Sequence, residues 1–380
     1  MSKKCITELV KENIRDLVPC VHGGDVWRVA RRYNIEVKGI LDFSSNVNPL
    51  GPSKRVIEAI YKSLWQIPYY PDPDYIELRE TISNYISGIK ADNVIVGNGS
   101  TELIHLFCET FIEKGDSALI LVPTFGEYEV AVRKAGGKPI FIKLDWDFRV
   151  NVNRLLKKMT QQVKVIFLCN PNNPTSILTP QDVVLKNIEA SLRSNILVFI
   201  DEAFIEFVDE RRYYSLAREI KNYQNLFILR SLTKAFGLAG LRIGYGIAHE
   251  DMIDMLSRAK VPWNISCLAQ VAAISALEDQ EHLKRTQRLI SEEKEFLLSE
   301  LEGIKGLKVF PPDANFIFMD IRRSGLTAMQ LKERMLLHGI LLRDCSSFTG
   351  LDEYYVRISI RTREDNEKFL ASLRKVLQIR

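Results

Sequence analysis

Seven short apolar runs separated by helical patterns constrain the fold of this chain more than any other feature. They occupy residues 94–96, 118–122, 139–142, 163–169, 196–200, 226–229 and 243–247. Consecutive apolar residues leave a strand without a solvent face, so each run needs cover on both sides, as in a sheet sandwiched between helices. The spacing predicts an α/β fold: a large domain with a mainly parallel seven-stranded sheet, whose ligands would sit beyond the carboxyl ends of the strands. Near Pro262 the pattern turns helical, with amphipathic stretches over 268–277 and 283–301. Strand-like segments follow at 307–310, 315–319, 340–343 and 355–360, which predict a smaller α+β domain. With 380 residues at 46% hydrophobic content there is material for both cores. The expected division is an amino-terminal segment (1–50) packing with the small domain, a large cofactor domain (51–265) and a small carboxyl-terminal domain (266–380).

Charge and cysteine usage narrow the function classes. The formal net charge of +4 is spread along the chain, and Arg28, Arg31 and Arg32 read as the exposed face of an amphipathic helix. Nucleic-acid binding is therefore not indicated. The six cysteines (Cys5, Cys20, Cys108, Cys169, Cys267 and Cys345) show no paired spacing, so neither a disulfide framework nor a zinc site is suggested, and no metal is expected. Cys108 and Cys169 fall in apolar runs, as reduced core residues do. The residues after Met1 lack the apolar region of a signal peptide, and no run approaches membrane-spanning length. The expectation is a cytoplasmic protein without membrane contact.

The chemistry-bearing residues concentrate at strand ends. Ser231-Leu232-Thr233-Lys234 leaves the run that ends at Leu229, and Arg242 follows eight residues after the lysine. Lysine prefers solvent, so its place here makes sense as a Schiff-base amine, with Ser231 and Arg242 binding a phosphate beside it. Pyridoxal phosphate (PLP) offers both an aldehyde and a phosphate. Asp201, at the end of the run 196–200, can pair with a protonated pyridine nitrogen. Asn173, in Asn170-Pro171-Asn172-Asn173-Pro174-Thr175, can donate to the cofactor's phenolic oxygen. Gly97-Asn98-Gly99-Ser100-Thr101-Glu102 precedes a helical pattern and offers amides and hydroxyls to a phosphate. Each motif alone has a plainer reading: a solvated lysine and arginine, a cap at Asp201, a turn at Asn173, a connecting loop at the glycines. That loop fails the dinucleotide fingerprint, because Glu102 stands where the third glycine belongs, and it lacks the Gly-Lys-Ser/Thr of a P-loop.

Together the four motifs resemble the fold-type I, PLP-dependent aminotransferase superfamily over nearly the whole chain. The resemblance implies Lys234 and Asp201 as catalytic residues. It implies Ser100, Thr101, Phe125, Asn173, Asp201, Ser231, Lys234 and Arg242 around PLP. Tyr70, in Tyr70-Pro71-Asp72-Pro73, would reach the cofactor phosphate of a neighbouring subunit, which implies a homodimer with shared active sites.

Within the superfamily the chain looks like the branch that holds histidinol-phosphate aminotransferases and L-threonine-O-3-phosphate decarboxylases. His22-Gly23-Gly24-Asp25, the stretch 42–51, Phe204 in place of a tyrosine and Arg361 in place of a glycine are similar to the decarboxylases. The expected reaction is PLP-dependent decarboxylation of L-threonine O-3-phosphate to (R)-1-aminopropan-2-ol O-phosphate, a carboxy-lyase step of cobalamin biosynthesis. Transamination of histidinol phosphate is the alternative. A third reading, a regulator that uses this fold as a sensor, is disfavoured because no DNA-binding segment accompanies the core. A phosphorylated amino acid carries two anions, and Arg343 and Arg357, predicted in adjacent strands, can clamp both. By resemblance Arg357 takes the carboxylate, while His22, Gly23, Asn46, Asn173 and Arg343 line the substrate pocket. A turn-capping His22, a rim ion pair at Arg343 and an Asx-turn at Asn46 stay open as plainer readings. Which bond at Cα breaks depends on how the substrate is positioned, and the sequence does not contain that angle.

Overall fold

The apolar runs form one seven-stranded sheet of the computed structural model, which describes residues 5–208 and 214–377, and they are largely buried except on the edge strand, where Phe141 is exposed. Strands are numbered along the chain. β1 (Leu41–Asp42) lies outside this sheet, which holds β2 (Val94–Gly97), β3 (Ser117–Val122), β4 (Lys138–Lys143), β5 (Val163–Cys169), β6 (Leu197–Asp201), β7 (Leu226–Ser231) and β8 (Gly244–Ala248). Their order is β2-β8-β7-β6-β5-β3-β4. β8 runs antiparallel to β2 and β7, and the remaining pairs are parallel. The reversed strand places the amino end of β8, just after Arg242, on the edge where β2, β3, β5, β6 and β7 present their carboxyl ends. One face of the sheet is covered by an aromatic stack in which Phe199 lies 5.0 Å, centroid to centroid, from both Phe167 and Phe227. Burial of each such ring contributes about 1.5–3 kcal/mol, which makes this edge a rigid platform.

The smaller unit is an antiparallel sheet in the order β12 (Arg343–Asp344), β13 (Tyr355–Ser359), β10 (Phe316–Asp320), β9 (Lys308–Phe310). The single strand expected over 340–343 is divided: β11 (Ile340–Leu341) pairs in parallel with β1, and β12 pairs with β13, with Arg343 opposite Arg357. Two helices separate the units. Cys267–Glu278 packs on the helices Lys54–Lys62 and Ile76–Ile86 of the large unit, burying Ala269, Ala272, Ala273 and Ala276. Gln280–Glu302 then reaches β9 and the helix Arg363–Val376. The first of these helices thus packs with the large unit, and the second leads to the small one. The amino-terminal segment bridges both units. Residues 41–43 are stitched to the small one, where Ser359 donates its amide to the Phe43 carbonyl at 2.8 Å, whereas Asn13 donates to the Lys134 carbonyl of the large one.

Candidate active site

A cavity of about 960 Å³ opens at the strand edge, between the two units. Its walls include His22, Gly23, Asn46, Ser100, Thr101, Phe125, Asn173, Asp201, Ser231, Lys234, Arg242, Arg343 and Arg357. Six of these ten stretches of sequence meet because five strands end, and one begins, at one edge, and the amino-terminal segment and the small unit bring the other four. Tyr70 does not join them. It is 81% exposed and its ring lies 4.8 Å from that of Trp263, beside a separate cleft lined by Trp65 and Tyr69.

Asp201 ends β6 beside Cys169 of β5, so its carboxylate is buried below the cavity. Burial raises its pKa, while two hydrogen bonds oppose that rise: Tyr128 donates its hydroxyl to Oδ2 at 2.7 Å, and the Ala203 amide donates to Oδ1 at 2.9 Å. Tyr128 escaped the sequence reading because a tyrosine on an apolar helix reads as core. It is core, stacked 5.2 Å from Phe167, but its hydroxyl emerges at the acid. Lys234 reaches the cavity past Phe204, with Nζ 5.8 Å from that ring's centroid. Burial brings its pKa down to about 8, and the positive charges of Arg357 and Arg242 add to the effect. An amine so placed is largely uncharged at mildly alkaline pH and can attack a carbonyl.

Ser231, Arg242, Ser100 and Thr101 gather at the amino end of the helix Ser100–Phe111, whose free amides favour an anion. Gly99 caps it with φ +79°, a conformation suited to glycine, and a Cβ there would lie 2.5 Å from Arg242 Nη2. The guanidinium is thus laid across the glycine at the helix terminus, from a residue that itself holds φ 56°. This cradle, the buried acid at Asp201 and the amine of Lys234 fit the phosphate, ring nitrogen and aldehyde of PLP respectively.

Arg357 is buried in the opposite wall, and burial brings its pKa down to about 10. It donates through Nη1 to Asn173 Oδ1 and through Nη2 to the Ser44 carbonyl at 2.6 Å, while its Nε finds no partner among the described residues. A guanidinium only donates, so Asn173 must turn its oxygen towards Arg357 and keep its Nδ2 free to donate elsewhere. Asn46 is buried, and its Oδ1 has no partner among the described residues. Arg343 is more committed than a free clamp: it donates to the Val21 carbonyl at 2.7 Å and to Ser347 Oγ at 2.9 Å, fastening the amino-terminal segment over the cavity. His22 Nε2 lies 2.8 Å from Glu127 Oε1, and His105 Nε2 lies 3.1 Å from the same residue's Oε2. These two contacts bring Glu127 down to about 2, against the opposing effect of burial. As the first residue of a helix, Glu127 carried no sequence signal beyond a favourable helix-end charge.

Residues 38–373 match the aminotransferase class I and II family. The chain belongs to that family. It is accordingly a PLP-dependent enzyme built as a transferase. Among similar proteins, the histidinol-phosphate aminotransferase of Methanosphaera stadtmanae is 35% identical over 98% of this chain and 99% of its own. The solved histidinol-phosphate aminotransferase of Clostridium acetobutylicum is 33% identical, with TM-score 0.83 over 89% of this chain and 99% of that one. The solved L-threonine-O-3-phosphate decarboxylase of Porphyromonas gingivalis is 28% identical, with TM-score 0.79 over 88% of this chain and 99% of that one.

These likenesses overturn the expected decarboxylase assignment and, with it, the carboxy-lyase and cobalamin expectations. Curated relatives 35–37% identical over nearly the full chain carry the aminotransferase name. The structure shows why the sequence markers misled. Arg361 is not among the cavity's lining residues: it pairs with Asp365 at 3.0 Å and donates to the Asp42 carbonyl at 3.1 Å, a packing role. Gly23 lies where a Cβ would meet the Ser44 carbonyl at 2.3 Å, so its glycine answers to close packing. Phe204 does line the cavity, but an apolar ring beside the lysine does not select which Cα bond breaks.

Proposed function

We propose that this enzyme transfers the amino group of histidinol phosphate, or a closely related phosphorylated amine, to a 2-oxo acid. The observation that carries the reading is the aminotransferase name of relatives 35–37% identical over nearly the full chain. The site supports it with the buried Arg357, a guanidinium across the cavity from Lys234 with one N–H unpartnered among the described residues. The two substrates of an aminotransferase occupy one site in turn, and each brings an anion, a phosphate in one case and a carboxylate in the other. One bidentate clamp suits both.

Bound PLP would supply an electron sink for the bond broken at the substrate's Cα. In this reading Lys234 holds the cofactor, and its released amine moves the proton at Cα. Asp201, tethered by Tyr128, keeps the pyridine nitrogen protonated. Asn173 donates Nδ2 to the phenolic oxygen, oriented by Arg357. Ser100, Thr101, Ser231 and Arg242 would hold the phosphate, and Phe125 would line the cofactor's site. His22, Gly23 and Asn46 line the substrate side, and Arg343 holds that lining in place. We infer a homodimer in which the exposed Tyr70 enters the site of a second copy. Purified protein given histidinol phosphate and 2-oxoglutarate should form glutamate in a PLP-dependent manner. Failure to transfer nitrogen from any phosphorylated amine, with carbon dioxide released from L-threonine O-3-phosphate instead, would overturn the reading.

A further inference from the structure

Cys20, His22 and Glu127 present a thiol, an imidazole and a carboxylate whose ligating atoms lie within 4.8 Å of one another. The proposed transamination gives Cys20 no part. Its thiol makes a long contact, 3.7 Å, to the Val21 carbonyl and meets the Gly126 backbone. Yet the chain makes room for it: a Cβ at position 126 would lie 2.6 Å from Cys20 Sγ, so the sulfur rests in a notch that Gly126 leaves open. Glu127 is held from behind, its Oε2 bound to His105 while Oε1 faces His22. A carboxylate fixed through one oxygen and presenting the other is the arrangement that outer partners impose on metal ligands.

We propose that Cys20, His22 and Glu127 form a three-ligand site for zinc, with the fourth position open to solvent at the cavity mouth. A thiolate and an imidazole favour zinc over magnesium or calcium, and a thiolate with a carboxylate balances its double charge. Bonds of about 2.0–2.3 Å place tetrahedral ligands roughly 3.3–3.6 Å apart. The widest of the three separations therefore has to close by up to about an ångström, while His22 Nε2 and Glu127 Oε1, now 2.8 Å apart, have to open by roughly half an ångström. Cys20 and His22 lie on a stretch without helix or strand, and the His22 side chain is 50% exposed, so the closure falls on the part of the site free to move. Cysteine spacing could not show this site, because a lone cysteine and a histidine two positions on are completed by a carboxylate 105 positions from that histidine.

The test uses the full-length, PLP-loaded protein dialysed against zinc. Elemental analysis should find one equivalent per chain, and X-ray absorption at the zinc edge should show one sulfur neighbour among nitrogen and oxygen. Cys20→Ala should lose that sulfur and most of the affinity while melting as the parent does. His105→Ala, which frees the far oxygen of Glu127, should weaken binding by about 10–100-fold and keep the sulfur. Zinc bound without sulfur, an unchanged affinity in Cys20→Ala, or no stoichiometric binding would each overturn the site. Should Cys20→Ala fail to fold, the sulfur signal in the parent and its weakening in His105→Ala decide the matter alone.

Discussion

Tyr128→Phe isolates the hydrogen bond that holds the acid beneath the cavity. The change removes one oxygen and leaves the ring stacked on Phe167 and edge-on to Phe125, 5.7 Å away, so the aromatic platform persists. What is lost is a 2.7 Å donor to a carboxylate shielded from water. A hydrogen bond to a charged group is worth about 1.5–3 kcal/mol. With tenfold for each 1.4 kcal/mol, the charged form of Asp201 should become roughly 10- to 100-fold harder to maintain. The sign is defined: burial already raises this pKa and Tyr128 lowers it, so the variant's carboxyl rises further. Activity that needs the carboxylate should then fall, and the acid limb of the pH profile of kcat/KM should move to higher pH. The assay is the amino-transfer rate followed from mildly acidic to alkaline pH, beside a thermal melt that checks folding. A well-folded variant whose acid limb stays in place, at a rate near the parent's, would show that Tyr128 does not sustain the charge of Asp201.

Three further outcomes follow from the same geometry. Arg357→Ala should cost about 2–5 kcal/mol in kcat/KM, and by similar amounts for the amine donor and the 2-oxo acid; a loss confined to one substrate would refute a shared clamp. Tyr70→Phe and Lys234→Ala subunits, each impaired alone, should regain part of the activity when mixed under conditions of subunit exchange, because one hybrid site is then intact. A mixture that stays inactive despite exchange would remove Tyr70 from the neighbouring site. The Glu127 carboxyl, held down at about 2 by its two histidine contacts, contributes stability that is present above its unfolded value and lost as pH falls through about 2. Glu127→Gln should therefore flatten the acid limb of a urea-unfolding series, and an unaltered slope would place the linkage elsewhere.

The fold was legible because its strands are apolar on both faces and few other structures call for that. Motifs at their ends were legible for the same reason, since a polar residue is conspicuous where a buried run stops, as at Asp201 and Lys234. Strand direction was not. A run such as 243–247 reads the same in either sense, so the reversal of β8, which delivers Arg242 to the common edge, had to come from the structure. Residues that act from within the core were hidden by their neighbours: Tyr128 is one aromatic among many, and only the position of its hydroxyl separates it from Phe167. Arg361 failed in the opposite way. It looked distinctive in sequence, yet it is spent on Asp365 and a backbone carbonyl. The choice between transamination and decarboxylation was unreadable because both use the lysine, the acid and the clamp, and differ in an angle about one substrate bond.

The charge layout around Lys234 links binding to reactivity. Burial is the larger cause of its lowered pKa, and the guanidiniums of Arg357 and Arg242 supply the next contributions. In the proposed reaction each guanidinium faces an anion, the cofactor phosphate at Arg242 and the substrate's phosphate or carboxylate at Arg357. Each anion offsets the field of its partner, so the amine is held down most strongly while the site is empty and less once it is filled. The empty site thus most favours the uncharged form of Lys234, which capturing an aldehyde requires. The filled site makes the same amine a stronger base, as moving a proton at Cα requires. Asp201 feels the charge of Lys234, but less than it feels its own two hydrogen bonds. Its carboxylate is controlled from below by Tyr128 and Ala203, so the protonation of the ring need not follow the coming and going of substrates above it.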